Sequence, residues 1–216
     1  MVTTADRHAS HRSLLQQVTG TQWIGVTFLE RPPTSHCGVH PGAIRFCEAI
    51  SRAHTGCIEL VPEMLCCQGA GHVFGWTANG EAALPRKLAD RTGVSEEQAR
   101  DLVGQVPVLR PPCAGICVGD SSYPDVWVTY AQPEAVMRVV RLWETAVGTS
   151  LTVTVSGFMA VCGNAVVRAH TSQSISLSFG CPDSRQYGGI RSEELVVAIP
   201  AGLLAALGER SPGDSL

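Results

Sequence analysis

Residues 125–148 read DVWVTYAQPEAVMRVVRLWETAVG. The first six are rich in β-branched and aromatic side chains and predict a strand over 125–130. Pro133 stands where a first-turn proline is tolerated, and Glu134 behind it suits the positive end of a helix. Val136, Val139, Val140, Trp143 and Val147 then recur at helical spacing, and Gly148 is a natural stop. A strand thus feeds directly into an amphipathic helix.

Outward from this unit, the C-terminal side predicts strands over 151–155, 174–179 and 195–199. It also predicts a helix over 157–168 that carries Cys162, and a last helix over 200–207. On the N-terminal side, 22–29 reads as a strand, 42–54 as a helix and 57–61 as a short strand. A further helix begins near Cys66 and runs through Gly75. Two short helices follow over 82–92 and 95–103, the second opened by a Ser95/Gln98 capping box. Residues 31–41 form a Pro-rich loop, and 106–119 a connector containing Pro, Gly and Cys. Strands and helices alternate without a simple βαβ rhythm. The expected fold class is therefore α+β (or α/β), a mixed sheet flanked by helices in a single compact domain. That domain covers 21–208, after a polar arm over 1–20 with a short helix around 13–18, and before a loose tail over 209–216.

Hydrophobic residues make up 44% of the 216 and charged residues 16%, which suffices for a core and argues against disorder. A net charge of -3 supplies no electrostatic reason to expect nucleic acid or an anionic membrane as partner. No stretch approaches the roughly 20 apolar residues of a membrane span. The polar first residues lack the apolar centre of a secretory signal, so a cytoplasmic, reducing location is expected. The expected partner is a small-molecule substrate, with a homo-oligomer left open.

Nine cysteines in such a setting are the informative feature. Their odd number, the adjacent Cys66 and Cys67, and the length of the chain argue against a disulfide frame and for metal ligation or thiol chemistry. Cys47 lies on an apolar helix face. Cys67 begins a helix, where the macrodipole favours a thiolate. Cys162 lies in Val161-Cys162-Gly163-Asn164. Cys181 follows a strand and precedes Pro182, with Arg185 four residues on as a donor toward a cluster sulfur, an anion or a substrate carboxylate. Any one of these cysteines, taken alone, is more ordinarily a small apolar packing residue. Cys113 and Cys117 form a single C-x3-C pair, and His36, Cys37 and His40 share a loop; neither group has the paired spacing of a zinc site.

The chain resembles the domain-of-unknown-function 169 family of bacteria and archaea over about residues 25–207. The resemblance rests on Phe46-Cys47-Glu48-Ala49-Ile50 with Ala53 and Gly56, and on Cys67-Gln68-Gly69-Ala70 with Gly75. It continues through Tyr130-Ala131-Gln132-Pro133-Glu134 with Met137, Cys162, Cys181 with Arg185, and Glu194-Leu195-Val196 before Ile199-Pro200. It implies one compact domain and marks Cys47, Cys67, Cys162 and Cys181 as the cysteines in family-type motifs. It implies no activity. Cys66, Cys37, Cys57, Cys113 and Cys117 depart from the family pattern.

Three functions are carried forward. In the first, Cys47, Cys67 and Cys162 hold a [4Fe-4S] cluster, with Cys181 as fourth ligand or beside an open iron and Arg185 orienting a substrate for sulfur transfer or non-redox elimination. In the second, all four cysteines ligate a cluster in a non-catalytic electron-transfer or accessory module. In the third, a metal-free enzyme uses Cys67 as nucleophile with His72 or another histidine as base.

Overall fold

The structure, a computed structural model, describes residues 4–33, 42–76, 83–119 and 124–208. Most of the expected 31–41 loop, with His36, Cys37 and His40, lies outside the described residues, as does the 209–216 tail. The strands are β1 (Ile24–Leu29), β2 (Cys57–Leu60), β3 (Gly115–Gly119), β4 (Val126–Ala131), β5 (Ser176–Ser178) and β6 (Leu195–Pro200). They form one sheet in the order β2-β3-β1-β4-β6-β5. Every ladder in it is antiparallel. This selects the α+β alternative; parallel pairing is confined to one isolated bridge, Ile44 to Leu65.

The pleat of β4 sorts the core into two layers. Val126 and Val128 face one apolar cluster, with Tyr130 packed against it, while Trp127 and Ala131 face the other. On β6, Val196 and Ala198 join the first, and Val197 and Ile199 the second. Successive strand side chains point to opposite faces, so a strand apolar at every position must be covered on both. The second face is covered by α1 (Thr4–Thr19), α6 (Pro133–Val147) and α9 (Ala201–Gly208), which also contact one another. Helix α6 ends as expected, on a left-handed Gly148 (φ 77°).

The first face carries α2 (Phe46–Arg52), α3 (Gln68–Val73), a π-helical segment (Cys162–Val167) and α7 (Arg168–Ser172). Aromatic rings fill the space between: Phe74 is fully buried, edge-on to Phe46 at 5.0 Å and tilted against Trp76 at 5.4 Å. Helices α4 (Ala83–Thr92) and α5 (Glu96–Gly104) pack together as a pair. The Ser95/Gln98 capping box forms as expected. The Gln98 N–H donates to Ser95 Oγ at 3.1 Å, and Gln98 Oε1 accepts from the Ser95 N–H at 3.0 Å.

Four expectations change. Residues 106–119 are not only a connector, because β3 lies there, paired to both β1 and β2. Its five residues include two glycines, a composition that hides a strand. Residues 151–155 form no ladder. Helix α1 is longer than the 13–18 stretch and buries Leu15 completely; it is tied to the sheet through Thr19, whose Oγ1 accepts from Trp23 Nε1–H at 3.0 Å. The helix over 157–168 begins as a π-helix and continues as α7.

Phe74→Ala should lower unfolding stability by about 3–5 kcal/mol, read from the urea midpoint. Ser95→Ala should lower it by about 1 kcal/mol through loss of the cap, without altering near-ultraviolet circular dichroism from the aromatic core.

Candidate functional site

Cys47, Cys67, Cys162 and Cys181 line a single cavity of about 660 Å³ on the first face of the sheet. Each stands at the start of a helical turn. Cys47 is the second residue of α2, Cys67 is the N-cap of α3, and Cys162 opens the π-helix. Cys181 is the N-cap of α8 (Pro182–Tyr187). Backbone N–H groups there have no partner within their own helix, and some turn to sulfur instead. Those of Gly69 and Ala70 lie toward Cys67 and that of Glu48 toward Cys47. At Cys181 the turn is closed by Ser184, whose Oγ accepts from the Cys181 N–H at 2.7 Å and donates to its carbonyl at 2.8 Å.

The sulfurs are close enough for every pair of the four to interact electrostatically. Burial first, then Cys181 and Cys67, pushes the Cys47 thiol up to about 12. Burial and then Cys67, Cys181 and Cys47 hold the Cys162 thiol well above the ordinary cysteine range. The Cys67 thiol is also raised, by burial above all. At Cys67 desolvation acts against the N–H donors and is the larger effect. His72, the expected base, is buried on α3 and is not among the residues lining the cavity.

The π-helix is closely packed, and a Cβ at Gly163 would meet Val106 Cγ1 at 2.5 Å. The N–H groups of Gly163 and Asn164 both donate to the Met159 carbonyl, at 2.9 and 3.0 Å, the widened pattern of a π-turn. Asn164 is buried; its Nδ2 donates to the Phe158 carbonyl at 2.8 Å and its Oδ1 accepts from Arg168 at 2.8 Å. Met159 is held at φ 44°, a left-handed backbone rare for a residue with a side chain. Its side chain lies over α3, where a Cβ at Gly69 would meet Met159 Cγ at 2.8 Å. A side chain at Gly69 would have to displace the Met159 side chain from its place over α3.

Arg185 does not reach the cavity. Its guanidinium donates to the carbonyls of Arg191 at 2.6 Å and Glu194 at 3.1 Å, pinning α8 to the segment before β6. The cations at the cavity wall are Arg45, Lys87 and Arg91. Arg45 lies 3.8 Å over the Tyr187 ring, Lys87 donates to Gln68 Oε1 at 2.6 Å, and Arg91 pairs with Asp183 at 2.9 Å. Arg91 also interacts with Cys181 and Cys67. Lys87 and Arg91 are four apart on α4 and so share a face, a signal the sequence carried without saying what the face meets. Behind the cysteines, the buried Tyr130 hydroxyl donates to the Cys47 carbonyl at 3.1 Å. Of the other cysteines, Cys66 is exposed at the rim and Cys113 is buried away from it. Cys117 faces Cys57 across two strands rather than Cys113.

Among the described residues, no group of three or more His, Cys, Asp or Glu side chains is arranged to hold a metal ion. Among the same described residues, no helix is long and apolar enough to cross a membrane.

No solved structure matches the chain. An uncharacterized protein of Methanocaldococcus jannaschii is 28% identical over 141 residues, covering 62% of this chain and 60% of that protein. The chain thus spans less than two thirds of this curated relative's length. Residues 19–210 match the domain-of-unknown-function 169 family, described as uncharacterised ArCR. With that match running over nearly its whole length, the chain belongs to this family.

Proposed function

We propose that the protein is an iron-sulfur enzyme: Cys47, Cys67 and Cys162 hold a [4Fe-4S] cluster, with Cys181 as the fourth ligand or beside an open iron, and a small molecule reacts at the cavity. The observation that carries this reading is the gathering of four cysteines, drawn from positions 47 to 181, around one cavity on one face of the sheet. Thiolates are the usual ligands of such clusters. A single tetrahedral zinc draws its sulfurs to within about 3.8 Å of one another, given bonds of roughly 2.3 Å. A cluster interposes its own irons and sulfides and accepts a wider set. The backbone N–H groups directed at the Cys47 and Cys67 sulfurs suit anionic thiolates and would tune a cluster's potential.

An open iron, when present, supplies Lewis acidity toward a sulfur, hydroxyl or carboxylate of the substrate. The chain's own residues do the rest. Arg91, fixed by Asp183, stands beside Cys181 and Cys67 and takes the orienting role expected of Arg185. Lys87 and Arg45 extend the positive wall toward an anionic substrate. Phe46, Met159 and Val161 line the cavity as well and supply its apolar part. Sulfur transfer and non-redox elimination both fit such a site. A carrier or accessory module with all four positions filled is the second reading.

Protein purified without oxygen should contain about four iron and four sulfide per chain and show a broad visible absorption. Absence of both after anaerobic reconstitution overturns the proposal. Serine at Cys47, Cys67 or Cys162 should abolish cluster retention, and serine at exposed Cys66 should leave it intact. Cys181→Ser separates the two readings: a retained cluster marks the open-iron enzyme, and a lost one marks four-cysteine ligation.

A further inference from the structure

A second pair of cysteines lies apart from the cavity, on the outer edge of the sheet. Strand β2 is the edge strand and pairs with β3. The register sets Cys57 opposite Gly119 and Glu59 opposite Cys117. Cys57 and Cys117 are therefore diagonal neighbours on one face of the sheet. Diagonal positions ordinarily lie about 7–8 Å apart, too far for most disulfides, yet here the two sulfurs stand 2.7 Å from each other.

Gly119 explains the approach. At φ 126° it takes a backbone that side chains rarely adopt, and a Cβ built there would meet Cys57 Cα at 2.9 Å. With no side chain opposite Cys57, the strands close up and the Cys57 side chain turns toward Cys117. Both cysteines are partly exposed, and neither lines the cavity. The pair is thus open to small reagents in solution and already within reach of an S–S bond, which is about 2.05 Å long.

We propose that Cys57 and Cys117 are a thiol–disulfide exchange site that forms a reversible intramolecular disulfide with low-molecular-weight disulfides. One cysteine, as thiolate, attacks a sulfur of the small disulfide, giving a mixed disulfide and releasing one small thiolate. The second cysteine, after losing its proton to water, attacks the protein sulfur of that mixed disulfide. The Cys57–Cys117 bond forms and the second small thiolate leaves; both released thiolates are protonated by water. Two protein thiols are oxidised and one small disulfide is reduced to two thiols. The bond clamps edge strand β2 to β3. Beyond β2 the chain runs through the Pro62–Met64 turn to Cys66 and Cys67.

The test uses the full, anaerobically purified chain, incubated with glutathione disulfide at graded ratios to glutathione, then acid-quenched, alkylated, digested and analysed by mass spectrometry. A Cys57–Cys117 linked peptide should dominate at oxidising ratios and disappear on addition of dithiothreitol. Cys57→Ser should instead leave Cys117 carrying glutathione, because the resolving thiol is gone. The proposal is overturned if Cys57 and Cys117 remain fully alkylatable while exposed Cys66 takes up glutathione. It is equally overturned if Cys117 is found joined to Cys113. The readout is independent of iron and sulfide content, so it stands or falls separately from the cluster.

Discussion

Strand β4 is buried on both faces, and that constraint organises the molecule. Val126, Val128 and Tyr130 need cover on one side and Trp127 and Ala131 on the other. One side is met by three helices packed against each other, a largely apolar solution. The other is met by the first turns of α2, α3 and the π-helix, which bring cysteines rather than only aliphatic side chains against the sheet. Tyr130 joins the two levels: its ring belongs to the strand's inward face, and its hydroxyl ends on the Cys47 carbonyl.

The price of that arrangement is visible around the cavity. Four cysteines are gathered around it, and at Cys47, Cys67 and Cys162 burial and neighbouring sulfurs raise the cost of ionising the thiol. Met159 adopts a backbone conformation that ordinary side chains avoid, and a buried asparagine is spent on holding it. Local departures of this kind are tolerated when the surrounding structure over-determines them, and they gather at functional sites. A metal centre held by these sulfurs would favour their thiolate form.

Short-range signals in the sequence were reliable here. The spacing of Val136, Val139, Val140 and Trp143, the stop at Gly148, and the Ser95/Gln98 box depend on residues within one or two turns of each other, and each appears in the structure. Strand β3 escaped notice because Gly115 and Gly119 have weak strand preference; it exists because β1 and β2 supply ladders on both sides. Arg185 misled for a related reason. Proximity in sequence to Cys181 said nothing of where its guanidinium would point, and two carbonyls near β6 claimed it.

By itself the sequence determined most of the helices and strands and the α+β or α/β class. These follow from periodicity, capping and turn chemistry acting over a few residues. The choice of Cys47, Cys67, Cys162 and Cys181 came from the family resemblance, and α8 was not legible. Only the tertiary structure decided that the sheet is antiparallel throughout, that Arg91 and not Arg185 faces the sulfurs, and that Cys117 meets Cys57 rather than Cys113. Those outcomes depend on contacts between segments tens of residues apart. Such contacts are chosen by the joint burial of the whole core, and no local stretch of the chain encodes that choice.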